Sequence, residues 1–242
     1  MSVHIGTSGF HYKHWRGPFY PEKIPASKML NFYTQHFDTV ELNNTFYHLP
    51  VETGLQNWRD STPRGFCFAV KGSRFLTHMK KLKDPETGIE RFFERVDKLG
   101  NKLGPVVFQL PPHWESDAER LENFLKALPR RHRYAFELRD PTWHNEQIYR
   151  ILRRHNAAFC IFEIAGFRSG FEITANFTYV RLHGPGGAYQ GSYPQQTLEE
   201  WAKRIREWQR TLRGVYVYFD NDQAGFAVQN AHSLRALGAE SR

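Results

Sequence analysis

The sequence predicts an α/β fold, a (β/α)8 TIM-like barrel with a degenerate sixth βα unit, and three observations carry that reading. Short β-rich runs recur eight times, segments of helical period lie between most of them, and no Ser/Gly-rich linker divides the 242 residues. Strands alternating with helices mean a parallel sheet. Eight such units in about 250 residues suit closure into a barrel better than an open doubly wound sheet. The expected domain is therefore residues 1–242, undivided.

The expected strands are residues 3–7, 39–42, 67–70, 106–110, 134–137, 159–162, 179–182 and 215–219. Residues 27–37, 51–61, 88–99, 117–128, 146–155, 197–212 and 226–237 repeat apolar side chains at three- and four-residue steps, which predicts seven helices. The sixth connection, 164–176, is interrupted by glycine and too short for a crossover helix. Pro63-Arg64-Gly65, Leu103-Gly104-Pro105 and Leu128-Pro129 read as helix stops before strands, at the bottom of the barrel.

Composition narrows the class. A hydrophobic fraction of 40% with 15% aromatic residues supports a sizeable core, so disorder is not expected. The opening residues lack a basic region followed by an apolar stretch, and no apolar run approaches the roughly 20 residues of a membrane span. A soluble, cytoplasmic protein is the expectation. Cys67 and Cys160 sit in short apolar runs and read as reduced, structural thiols, and no zinc spacing is present. The net charge of +8 favours anionic partners, although Lys80-Lys81, Arg130-Arg131, Arg153-Arg154 and residues 203–213 place much of it on outer helices.

The strongest functional signal is side-chain parity. Parallel strands covered on both faces should read as continuous apolar runs, so polar residues at alternate positions require a reason. Thr39, Glu41 and Asn43 share one face; so do Ala69 and Lys71, then Ala135, Glu137 and Arg139, then Tyr179, Arg181 and His183, then Tyr216, Tyr218 and Asp220. Turning these faces into the lumen predicts a mouth lined by Glu41, Lys71, Gln109, Glu137, Arg139, Glu163, Arg181, His183 and Asp220. Barrel active sites lie at that end. Either a ligand or a self-compensated ion-pair network explains the set, and the desolvation of so many ions favours a ligand.

Glu137 and Glu41 come from opposite sides of the ring and suit acid–base work across a ligand, with His183 moving a proton. Lys71, Arg139 and Arg181 would neutralise an anion, and Gln109, Asn43, Tyr47, Trp143, Tyr189 and Asn221 complete the expected ligand-binding set. The Gly-rich stretch after His183, residues 184–189, reads either as a phosphate loop or as a flexible turn. Phe10, Tyr12, Trp15, Phe19, Tyr20, Phe46, Tyr47, Trp114 and Trp143 stack sugars or unpaired bases, or pack the loops. Trp143 is expected over the mouth. No cofactor is expected; Mg or Mn on Glu41, Glu137, Glu163, His183 and Asp220 is the alternative, opposed by the neighbouring cations.

Residues 6–21, reading GTSGFHYKHWRGPFYP, resemble the opening signature of the YecE-like family, domain of unknown function 72. VELNNTFY at 40–47, FCFAVK at 66–71, QLPP at 109–112, YAFELR at 134–139, YVRLHG at 179–184 and NA at 230–231 extend the resemblance over almost the whole chain. It implies a barrel similar to metal-dependent nucleases and sugar isomerases, with no settled activity. This chain departs from the usual pattern at Phe219-Asp220-Asn221, where the family tends to carry Asn-Asn. The leading expectation is an enzyme for a small anionic or sugar-like ligand. The alternatives are a nucleic-acid binding or processing protein and a metal-dependent hydrolase or isomerase.

Overall fold

Alternation of side chains along eight short strands sets the architecture. The computed structural model describes residues 2–238; the expected domain limits at Met1 and 239–242 lie outside the described residues. In chain order the elements are β1 (Ser2–Thr7), α1 (Ala26–Tyr33), β2 (Thr39–Leu42), α2 (Asn44–Tyr47), α3 (Glu52–Ser61), β3 (Cys67–Lys71), α4 (Glu86–Val96), β4 (Leu103–Leu110), α5 (Ala118–Ala127), β5 (Tyr134–Leu138), α6 (Glu146–Arg154), β6 (Ala158–Ile164), β7 (Phe167–Arg168), β8 (Phe177–Leu182), α7 (Gln195–Gln209), β9 (Gly214–Phe219) and α8 (Phe226–Ala236). A π-helical turn, Phe75–Met79, follows β3.

The strands run β1-β9-β8-β6-β5-β4-β3-β2, and every pair along this path is parallel. The seam between β1 and β2 is joined by a parallel bridge, Ser8 with Glu41, where Gly9 N donates to Glu41 O at 2.8 Å. The result is a nearly closed (β/α)8 barrel. Its sixth unit is degenerate, as expected: β6 turns back through the antiparallel two-residue strand β7 instead of a helix. The seven expected helices all form, and the single turn α2 adds to them.

Local chemistry explains the boundaries. Asp117 and Asn145 cap α5 and α6 by accepting from Arg120 N at 3.0 Å and Ile148 N at 3.1 Å, satisfying amides that lack a partner in the first turn. Strand β4 starts at Leu103, earlier than the expected residue 106. Its register against β3 shifts between Phe68 and Val70, so Gly104 and Pro105 occupy an irregularity where a missing N–H is tolerated. Glycine at 104 is needed there, since a Cβ would lie 2.5 Å from Cys67 Sγ.

Outward side chains form one large core against the helices, among them Val40, Phe68, Val70, Phe108, Phe136, Ile161 and Val217. Inward side chains form a second, separate cluster. Gly6 lets the seam close, because a Cβ at that position would stand 2.5 Å from Thr39 O. Gly6→Ala should therefore cost about 1–3 kcal/mol through overpacking, read as a lower urea midpoint with an unchanged slope. A midpoint equal to wild type would show that the seam gives way freely.

Candidate active site at the barrel mouth

Inward residues stack in levels along the barrel axis. The lowest level is apolar and aromatic: Ala69, Val107, Ala135, Cys160, Tyr179, Tyr216 and Tyr218 pack on one another. Thr39 Oγ1 bonds the Tyr218 hydroxyl at 2.6 Å and donates to Cys67 O at 2.9 Å. This floor excludes water beneath the charges above it.

Arg181 is the hub of the second level. Its Nη2 donates to Glu41 Oε1 at 2.7 Å and to Asp220 Oδ2 at 3.1 Å, and its Nη1 donates to Glu137 Oε2 at 2.6 Å. A planar guanidinium with five N–H groups is the side chain able to serve three carboxylates at once. Glu41 also accepts from Arg181 Nε at 3.0 Å, from the Tyr179 hydroxyl at 2.6 Å and from Ser8 Oγ. Arg181, Glu41 and Glu137 are wholly buried.

These pairings set the protonation states. Burial pushes the Glu137 carboxyl up, but Arg139, Arg181 and His183 overcome it and hold the group well below the ordinary carboxylate range. Asp220 is likewise held low against its burial, by the His183 hydrogen bond and by Arg181. For Arg181, burial acts to lower the value, and the carboxylates of Glu41, Glu137 and Asp220 raise it well above normal. Glu137 and Asp220 are therefore ionised at neutral pH, an arrangement poor in general acids.

The third level faces the opening. Arg139 donates from Nε to Glu137 Oε1 at 2.6 Å and from Nη2 to the Tyr189 hydroxyl at 3.2 Å. Tyr189, 41% exposed, is brought there by a loop in which its N donates to His183 O at 2.5 Å. That loop requires Gly184, at φ 116°, where a Cβ would stand 2.3 Å from Gln190 O. His183 Nδ1 lies 3.0 Å from Asp220 Oδ2, and its Nε2 lies 3.4 Å from Glu137 Oε2.

Lys71 differs from the other cations. It is half-buried, its Nζ stands 4.4 Å from the Phe46 ring centroid, and among the described residues it has no hydrogen-bond or ion-pair partner. Burial first, and Arg181 second, pull its pKa down to about 8, against the carboxylates of Glu137, Asp220 and Glu41. Two buried polar atoms on the strands that flank β3 also lack hydrogen-bond partners: Asn43 Oδ1 past the end of β2 and Gln109 Oε1 on β4.

Other expected residues are placed differently. Glu163 is a correction: β6 turns Cys160, and with it Phe162, to the lumen, so Glu163 faces the helices and pairs with Arg168 Nε at 2.7 Å. Trp143, expected over the mouth, is wholly buried and donates from Nε1 to Trp114 O at 2.6 Å. Asn221 is buried too, donating to Gly191 O at 2.7 Å and Asn230 Oδ1 at 2.8 Å. Tyr47 is 69% exposed. The first-loop aromatics Phe10, Trp15 and Tyr20 pack inside and present no stacking face.

Ser8 and Tyr12 were not singled out for the ionic cluster. Ser8 extends the inward alternation of Gly6, and that count could have found it. Tyr12 donates to Ser8 O at 2.7 Å, and its hydroxyl pKa is raised by burial and then by Asp220. Beside it a cavity of about 280 Å³ is lined by Gly9, Tyr12, Asn43 and Trp58. A larger groove, about 940 Å³ between α4 and α5, lies on the helical exterior and includes no residue of the ionic cluster. A cation would have to displace the Arg181 guanidinium to reach the three acids. Among the described residues no group of three or more His, Cys, Asp or Glu is arranged to hold a metal ion.

Fold and site together define a (β/α)8 barrel with an ionic cluster buried at the C-terminal mouth of its strands. Residues 4–242 match the family model described as "Protein of unknown function DUF72", and the chain belongs to that family. It is 26% identical over 274 residues to the UPF0759 protein YunF of Bacillus subtilis (strain 168), covering 97% of this chain and 94% of that one. It is 31% identical over 113 residues to the UPF0759 protein YecE of Escherichia coli (strain K12), covering 46% and 42%. The solved structure of a DUF72 family protein from Thermotoga maritima MSB8 superposes with a TM-score of 0.90 at 28% identity, covering 99% of this chain and 100% of that one. Among the described residues no helix is long and apolar enough to cross a membrane.

Proposed function

We propose that the chain is an enzyme acting on a small, hydroxylated anion, of the sugar-phosphate or sugar-acid class, held at the barrel mouth. The observation that carries this reading is Lys71, a cation without a counter-ion at the end of β3, with two buried amide oxygens, Asn43 Oδ1 past the end of β2 and Gln109 Oε1 on β4, that have no hydrogen-bond partner on the flanking strands. Unpaired buried polar groups are uncommon and ask for an occupant. Lys71 and the outer face of Arg139 supply positive charge, and the unpaired amide oxygens accept from hydroxyls.

The roles within the charged set divide by level. Arg181 and Glu41 are committed to one another and form the frame. Glu137 holds Arg139 in place. His183, held between Asp220 on Nδ1 and Glu137 on Nε2, is the imidazole placed to move a proton. A nucleic-acid reading has less support, because the first-loop aromatics are packed away.

A thermal-shift screen tests the proposal. A sugar phosphate or sugar acid at a hundredfold excess over its Kd should stabilise by about 2.7 kcal/mol, a rise of roughly 5–10 °C for a chain of this size. Lys71→Met should abolish that rise. No rise with any member of the class, or an equal rise in the variant, would overturn the reading.

A further inference from the structure

We propose that Lys71 is a covalent catalyst: its Nζ forms an imine with the carbonyl carbon of a small anionic aldehyde or ketone at the barrel mouth. This deepens the functional reading above and rests on it, because the anion must bind before its carbonyl can meet the amine.

The case begins with what surrounds Nζ. An ammonium carries three N–H bonds that need acceptors, yet none of the described residues accepts from Lys71. Exposed lysines have water for this, and the half-buried Lys102 has protein acceptors, donating to Arg59 O and to Thr62 O at 2.7 Å. Lys71 instead lies across the Phe46 ring at the end of β3. A site built only to attract anions gains from a permanently charged ammonium held by acceptors. This one favours an amine that gives up its proton, since at a pKa of about 8 roughly a tenth of it is neutral at pH 7.

The neighbours complete the chemistry. Register pairs Lys71 with Val107 and Gln109 with Glu137, so Gln109 and Glu137 stand one inward position beyond Lys71 toward the mouth, on β4 and β5. Arg139 spends Nε on Glu137 and Nη2 on Tyr189, and among the described residues its Nη1 has no partner, leaving donors for a carboxylate or phosphate. Arg181, Glu137, Asp220 and Glu41 act on Nζ electrostatically, and Lys71 in turn acts on His78 of the π-helical turn.

The step balances without a further reagent. The Nζ lone pair attacks the carbonyl carbon, a C–N bond forms, and the carbonyl π pair moves to oxygen, which takes a proton. Loss of the second N–H proton and of the hydroxyl as water leaves the C=N bond. His183, oriented by Asp220, is the group in the mouth able to give and take those protons.

Reductive trapping tests this. The full chain is incubated separately with glyoxylate, pyruvate and pyridoxal 5′-phosphate, reduced with cyanoborohydride, and digested for peptide mass spectrometry. Lys71 should be modified at least about tenfold more than any other lysine, with labelling rising through a midpoint near pH 8 and falling when inorganic phosphate competes. Lys71→Arg should bind phosphate, by thermal shift, and carry no adduct. Labels spread over exposed lysines with Lys71 unmodified would overturn the imine, and binding read separately by thermal shift would then leave the functional reading standing. Failure of both readouts would remove both.

Discussion

Arg181→Met should destabilise the protein by about 3–5 kcal/mol at neutral pH, because it leaves Glu41, Glu137 and Asp220 buried around a vanished counter-charge. Chemical denaturation monitored by tryptophan fluorescence measures it. The pH dependence identifies the mechanism. Glu137 and Asp220 have folded-state pKa values below their unfolded ones, so they contribute stability above the ordinary values of 4.5 and 3.8, and that stability is lost as pH falls through the folded values. Without Arg181, Glu137 keeps Arg139 and His183 and Asp220 keeps His183, but each carboxylate loses a counter-charge and protonates at higher pH. The gap between wild type and variant should therefore narrow as pH falls below 4.5. Arg181→Lys keeps a charge but cannot reach three acids, and should fall between the two. A variant as stable as wild type would show that the network is not a structural unit.

Lys71→Met should do the reverse, leaving stability unchanged or raised by roughly 1–3 kcal/mol at pH 7, because it removes a half-buried cation that has no partner. Here the folded-state pKa, about 8, lies below the ordinary 10.5. Below pH 8 both states are protonated and the burial penalty is fully present. Between 8 and 10.5 the unfolded chain binds more protons, so the wild type gains stability relative to the variant. The advantage of the variant should vanish above pH 10.5. Denaturation midpoints of both proteins from pH 6 upward read this directly, and a variant less stable at pH 7 than at pH 10.5, relative to wild type, would contradict it.

Much of this was legible in alternating residues. Glu41, Glu137, Arg181 and Asp220 each continue an inward face whose earlier members are Thr39, Ala135, Tyr179 and Tyr218, and they alternate with the apolar, outward Val40, Phe136, Val180 and Phe219. Parity was misapplied once, at Glu163: counting two from Cys160 arrives at Phe162, and the acid belongs to the β6–β7 turn with Arg168. Periodicity cannot reach the loops. Trp143 follows a strand end where nothing in the sequence says whether an indole covers the mouth or, as here, meets Trp114 beneath the surface. Nor can sequence separate spent charges from spare ones. Three cations read alike, whereas the structure commits Arg181 entirely, Arg139 in part and Lys71 not at all.

The division of labour among those cations comes down to the proton on Lys71. A ¹³C NMR titration of the lysine ε-carbons, with the Lys71 resonance assigned by its loss in Lys71→Met, measures it without any ligand. A midpoint near 8 is the expected result, and one at the ordinary 10.5 would contradict the account.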